Sequence, residues 1–113
     1  MNKYVQSMAY RYRWLDQALD DLGEEIGYVR NKFGKNAAWK AESKIRTRVE
    51  QLCIFPNIGV LYENLLYNGN EVRILHLGQV SVIYSFHNEL ITLIAVWNNR
   101  RDETKLADVI GSR

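Results

Sequence analysis

The side chains best placed for chemistry in this 113-residue chain are cations set among apolar neighbours. Arg73 stands between Val72 and Ile74. A guanidinium there needs a ligand, or an acid such as Glu71 or Glu89, to offset its loss of water. Arg100 and Arg101 follow the apolar run Leu90 to Trp97; they can meet an anionic target, cap carbonyls, or pair with Asp102 and Glu103. Arg11 and Arg13 alternate with Tyr10, Tyr12 and Trp14, and so share one face of an extended segment. They either extend a basic surface or defend an exposed edge with charge. His76 is the one histidine inside an apolar run; its ordinary pKa suits proton transfer, and a solvated or partner-facing ring is the alternative. His87 falls in a polar break and reads as surface. Tyr84 alternates with Val80, Val82 and Phe86, which points to the core before a base-stacking platform. Trp39 and Trp97 are core or partner-contact aromatics. Cys53, beside Leu52 and Ile54, reads as a small buried apolar residue. No glycine-rich phosphate loop, metal-ligand cluster or nucleophile triad occurs, and no cofactor is expected.

Composition bounds the elements that must position these groups. The chain is 47% hydrophobic and 25% charged, with one proline and seven glycines, as in an ordinary globular protein. It reads as one domain over residues 1–113, with 1–7 as an unpaired leader or a strand extension and Met8 as an alternative start. A single cysteine rules out an internal disulfide and suits a reducing compartment. Leu90 to Trp97 falls well short of the roughly 20 residues a bilayer span needs, and Met1 to Arg13 lacks the apolar centre of a signal peptide. A cytoplasmic protein without membrane contact is expected. The net charge of +2 says little about nucleic acid. Its distribution says more: Leu15 to Val29 holds five acids and no base, whereas Arg30 to Arg48 holds seven bases and only Glu42. Two antiparallel helices with complementary surfaces account for that split, with a specific anionic ligand as the alternative.

The alternation from Met8 to Trp14 predicts a first strand. Leu15, Leu22, Ile26, Val29 and Phe33 recur at helical steps, and Phe33-Gly34 ends that helix. A second helix runs from about Asn36, with Ala38, Ala41, Ile45, Val49 and Leu52 inward; Pro56, Asn57 and Gly59 then open a loop. Glu71 to Leu77, Val80 to Phe86 and Leu90 to Trp97 read as strands joined by Gly78-Gln79 and His87-Asn88-Glu89. Leu90 to Trp97 is apolar on both faces and is expected to be central. Asp102 to Ile110 closes as a short helix. The expected fold is α+β, in the order β-α-α-β-β-β with a short C-terminal helix. A helical hairpin packs on one face of a small, mainly antiparallel four-stranded sheet.

From about Met8 to Leu106 this order resembles the RelE/ParE superfamily of bacterial type II toxin–antitoxin toxins. The resemblance rests on Ala18 with Asp21-Leu22, Phe33-Gly34, Leu52 with Pro56 and Gly59, Val72-Arg73, Val82-Ile83-Tyr84 and Arg100-Arg101-Asp102. It implies a plasmid-stabilisation toxin, a cognate antitoxin, a toxin–antitoxin hetero-oligomer, and DNA gyrase or the ribosome with its mRNA as target. In a RelE-like ribonuclease Arg73, Arg100, Arg101 and His76 would be the catalytic set. Such members usually carry Arg where this chain has Val80 or Ser81, and a late Tyr where it has Lys105-Leu106. The run Val96-Trp97-Asn98-Asn99-Arg100-Arg101-Asp102 is similar instead to the ParE-like pattern. ParE-like gyrase inhibition is therefore favoured over RNA cutting, with a degenerate, non-toxic antitoxin binder as a third reading. On the favoured reading Arg11, Arg13, Arg73, Arg100, Arg101 and Trp97 would contact the target, and Trp39, Tyr28 and Arg46 the antitoxin.

Overall fold

The computed structural model describes residues 10–113; the leader, Met8 and the start of the expected first strand lie outside the described residues. The elements are β1 (Arg11–Trp14), α1 (Asp16–Phe33), α2 (Lys35–Leu52), β2 (Val60–Tyr67), β3 (Asn70–His76), β4 (Val80–His87) and β5 (Leu90–Asn98). A 3₁₀ turn (Glu103–Lys105) and the short α3 (Leu106–Gly111) follow.

The helical hairpin forms where the three- and four-residue apolar spacing predicts it. Ala18, Leu22 and Ile26 bury one stripe of α1, and Ala38, Ile45, Val49 and Leu52 one stripe of α2. The corner between the helices is Gly34 alone, at φ +95°, with its N–H bonded to the Arg30 carbonyl. A side chain would be strained in that conformation, so glycine permits a one-residue turn.

The sheet corrects two expectations. It has five strands in the order β1-β5-β4-β3-β2, and it is mixed, because β1 runs parallel to β5 while the other pairs are antiparallel. The added strand is β2, expected to be loop. Its alternation is interrupted by an irregularity between Tyr62 and Leu66, with Asn64 at φ +65°, and as the outermost strand it buries little. A bulge shifts the face of each later residue, so a period-two search fails across it. The turn that pairs β2 with β3 is nevertheless written in the chain: Asn68-Gly69, at φ +50° and +81°, is the residue pair that a tight hairpin turn favours. β5 is buried on both faces as expected, although β4 holds the middle of the five-strand order.

Apolar residues pack on both sides of the sheet. One face, with Leu75, Val82, Tyr84, Ile91 and Leu93, meets α1 and α2. On the other, Val72, Ile74, Ile83, Ala95 and Trp97 are covered by Leu106 and Ile110 of α3. β1 shields only the first half of the β5 edge, ending at Trp14 opposite Leu93. Beyond it, Asp21 of α1 accepts the Val96 N–H at 3.1 Å, and the Arg113 guanidinium donates to the Ile94 carbonyl at 2.8 Å and to Asp21 at 2.6 and 3.1 Å. Side chains thus satisfy strand-edge groups that no neighbouring strand reaches.

Candidate functional site

The predicted site residues separate into five places. Arg73 lies opposite Tyr84 on the face toward the helices. Its guanidinium donates to the Gly59 carbonyl at 2.8 Å and to the Asn57 carbonyl at 3.4 Å. The Tyr84 hydroxyl accepts the Gly59 N–H at 2.8 Å and donates to the Pro56 carbonyl at 2.7 Å. A Cβ on Gly59 would sit 2.6 Å from that hydroxyl. Arg73 and Tyr84 together fasten the loop between α2 and β2, which answers why a cation sits in an apolar strand: its partners are backbone carbonyls rather than Glu71 or Glu89. Tyr84 is fully buried, and burial raises its pKa against the opposing effects of the Gly59 hydrogen bond and the Arg73 charge.

Arg100 and Arg101, adjacent in sequence, part to opposite faces. The Arg100 guanidinium lies 5.8 Å from the Tyr28 ring on the helix side, while that of Arg101 stacks 4.0 Å from the Trp97 ring on the α3 side. On the helix side an apolar groove of about 350 Å³ is lined by Ile26, Val29, Phe33, Ile45, Leu77 and Val80, with Lys44 and Arg100 also at its wall. Tyr28 also borders it and accepts a hydrogen bond from Lys32 at 3.2 Å. Hydrogen bonding to Lys32 and Arg100 lowers the Tyr28 pKa.

On the α3 side His76, Trp97, Asn99, Arg101 and Glu103 enclose a cleft of about 290 Å³. The proton arrangement in its wall follows from one fixed acceptor. Asn99 Nδ2 donates to the Gly78 carbonyl at 2.7 Å, so Asn99 Oδ1 must be the atom that receives the Ser81 hydroxyl proton at 2.7 Å. Ser81 Oγ, its single proton committed, then accepts from His76 Nδ1 at 2.8 Å. The neutral imidazole therefore carries its proton on Nδ1 and keeps a lone pair on Nε2. Ser81 and Asn99 were missed by sequence reasoning. The available signal was Ser81, a hydroxyl between Val80 and Val82 five positions after the histidine.

The other predicted residues stand apart. Arg11 and Arg13 lie on edge strand β1, where Arg13 Nε donates to Thr92 Oγ1 at 3.4 Å. Trp39 is 70% exposed on α2, and is not a core residue. Arg46 pairs with Glu42 at 2.8 Å on the exposed side of that helix. Among the described residues no group of His, Cys, Asp and Glu is placed to hold a metal ion, and no helix is long and apolar enough to cross a membrane.

Residues 12–103 match the family model described as ParE toxin of type II toxin-antitoxin system, parDE. The chain belongs to the ParE toxin family. The ParE fold is also found in a solved structure described as a chromosomal ParDE TA system from P. aeruginosa, with a TM-score of 0.66 at 20% identity. That alignment covers 80% of this chain and 97% of the other. None of the curated proteins compared matches significantly. In this ParE toxin the matched span contains the groove, the cleft and every residue of the loop clamp.

Proposed function

We propose that this ParE toxin arrests growth in the cytoplasm by binding DNA gyrase, and that a cognate antitoxin neutralises it in a hetero-oligomer. The observation that supports binding over RNA cutting is the separation of the cations. Cleavage of a phosphodiester by its 2′-hydroxyl needs positive charge at the phosphorane, a base for the hydroxyl and an acid for the leaving oxygen, all within reach of one phosphate. Arg73 is engaged with backbone carbonyls, and Arg100 and Arg101 stack on rings of opposite layers. Among the described residues only Arg101 accompanies His76, and the Glu103 carboxylate borders the same cleft and opposes an approaching phosphate. Arg101 over Trp97, with Arg11 and Arg13 along the β1 edge, suits contact with a target protein. The Nε2 lone pair of His76 is the one feature that favours a RelE-like nuclease. Induced expression distinguishes the two: loss of plasmid supercoiling with intact transcripts supports gyrase binding, and fragmented transcripts with normal supercoiling contradict it.

The groove on the helix side suits the antitoxin. Its floor is apolar, and Lys32, Lys44 and Arg100 lie at or beside its mouth, against a single carboxylate, Glu25, which accepts a hydrogen bond from Asn98 Nδ2. That combination fits an amphipathic segment whose polar side is acidic. Arg100→Glu is expected to weaken antitoxin binding tenfold or more, about 1.4 kcal/mol, in a calorimetric titration. Unchanged affinity would move the antitoxin off this groove.

A further inference from the structure

We infer that the open edge of β2, on its α3 side, receives an extended, arginine-bearing segment of the target protein; the choice of target rests on the gyrase reading above. Among the described residues β2 is the outermost strand, so one row of its backbone groups has no partner strand, and an incoming strand can complete them. A groove of about 550 Å³ follows this edge. Val60 pairs with Ile74 and Tyr62 with Val72, which places Val60 and Tyr62 on the α3 face, whereas Leu61, opposite Arg73, belongs to the other face. Val60, 62% exposed, and Ile74 give the groove an apolar floor beside Tyr62.

Apart from the Tyr62 hydroxyl, the polar side chains that line the groove are hydrogen-bond acceptors. Glu63 comes from the irregularity between Tyr62 and Leu66, and Glu103 from the 3₁₀ turn. The two ion pairs among the described residues, Arg46–Glu42 and Arg113–Asp21, involve neither carboxylate. His76 is the third acceptor. With its Nδ1 proton given to Ser81, the neutral ring offers a ligand only the Nε2 lone pair. The Asn99–Ser81 chain sets that polarity, independently of the carboxylates. Arg101 and Lys105 flank Glu103 in sequence but do not line the groove, and Glu71 borders an adjoining hollow together with Glu63. Two carboxylates and a lone pair above an apolar floor match a guanidinium, which donates in several directions from a stem that can lie on Val60 and Ile74.

Charge also decides between partners. The helix-side groove sets Lys32, Lys44 and Arg100 against Glu25 and suits an acidic segment. The β2 groove has the opposite sign and repels such a segment. An enzyme that binds DNA needs basic surface to hold phosphates, so gyrase is the partner that presents arginine. The β2 groove shares His76 and Glu103 with the cleft beside Arg101 and Trp97, and is thus continuous with the surface assigned to the target.

Two measurements test this. In an NMR titration of the isotope-labelled chain, the peptide Thr-Val-Arg-Val-Thr, blocked at both ends, is expected to shift the amides of Val60 to Glu63 and the ring of His76. Its counterpart with glutamine in place of arginine should bind at least tenfold more weakly. In surface plasmon resonance against purified gyrase, Glu63→Lys and Glu103→Lys should each weaken binding at least tenfold while melting temperature and antitoxin affinity stay unchanged. Peptide binding without gyrase binding upholds the arginine site and overturns the gyrase reading alone. The inference is overturned by absent shifts at millimolar peptide, by equal affinity for the glutamine peptide, or by gyrase binding that neither substitution weakens. It is overturned too if Glu103→Lys weakens antitoxin binding or a self-association seen in ultracentrifugation, either of which assigns the edge to that other occupant.

Discussion

Tyr84→Ala is expected to lower the stability of the fold by about 5 kcal/mol, at the upper end for an aromatic truncation. The residue is fully buried, so its removal leaves a ring-sized cavity. It also strands the Gly59 N–H and the Pro56 carbonyl that its hydroxyl satisfies. Because small domains are stable by only about 5–15 kcal/mol, much of the population should unfold. Tyr84→Phe separates the two contributions: packing is kept, both hydrogen bonds go, and the cost falls to about 2 kcal/mol. The pH dependence has a definite sign. Burial holds the folded-state pKa above the ordinary 10.0, so the folded chain keeps a proton that the unfolded chain releases. That contribution is fully present below pH 10 and is lost as pH rises through the raised value. Urea denaturation at neutral and alkaline pH should therefore show a steeper alkaline loss in the wild type than in Tyr84→Phe. Equal slopes would show that the hydroxyl is not buried as described.

Asp21→Ala is expected to cost about 2–3 kcal/mol, below the range for a fully buried pair because both partners keep slight solvent contact. The Asp21 and Arg113 side chains are 18% and 13% exposed. Removing the carboxylate leaves the Arg113 charge unpaired and the Val96 N–H without its acceptor. The loss should be local as well as global. Amide hydrogen exchange should accelerate at Val96 and through α3, whose Leu106 and Ile110 cover the second apolar face. Asp21→Leu combined with Arg113→Met should recover part of the stability, since replacing a buried pair by apolar groups removes the desolvation cost of both ions. A shift under about 0.5 kcal/mol in Asp21→Ala would show that the β5 edge does not depend on this pair.

The helical hairpin and the strands β3, β4 and β5 were legible because each repeats its apolar residues at a single period. β2 was not, since its bulge breaks that period and its edge position removes the burial that alternation reports. The parallel direction of β1 was hidden for a different reason: four residues pairing with a strand about 80 positions later leave no local trace of direction. At the site, residue type was informative and neighbourhood was not. Arg73 did prove to need partners, but they are backbone carbonyls, which no side-chain pattern announces. The divergence of Arg100 and Arg101 depends on where β5 ends, and the His76–Ser81–Asn99 chain depends on strand register.

The most direct test of target binding over RNA cutting uses the purified chain in parallel reactions, gyrase-dependent supercoiling of relaxed plasmid and cleavage of mRNA on programmed ribosomes. Supercoiling should be inhibited, mRNA should stay intact, and Arg101→Ala should relieve the inhibition while the protein remains folded. Codon-positioned cleavage that disappears in His76→Ala, with supercoiling unaffected, would contradict the account and assign the cleft to catalysis.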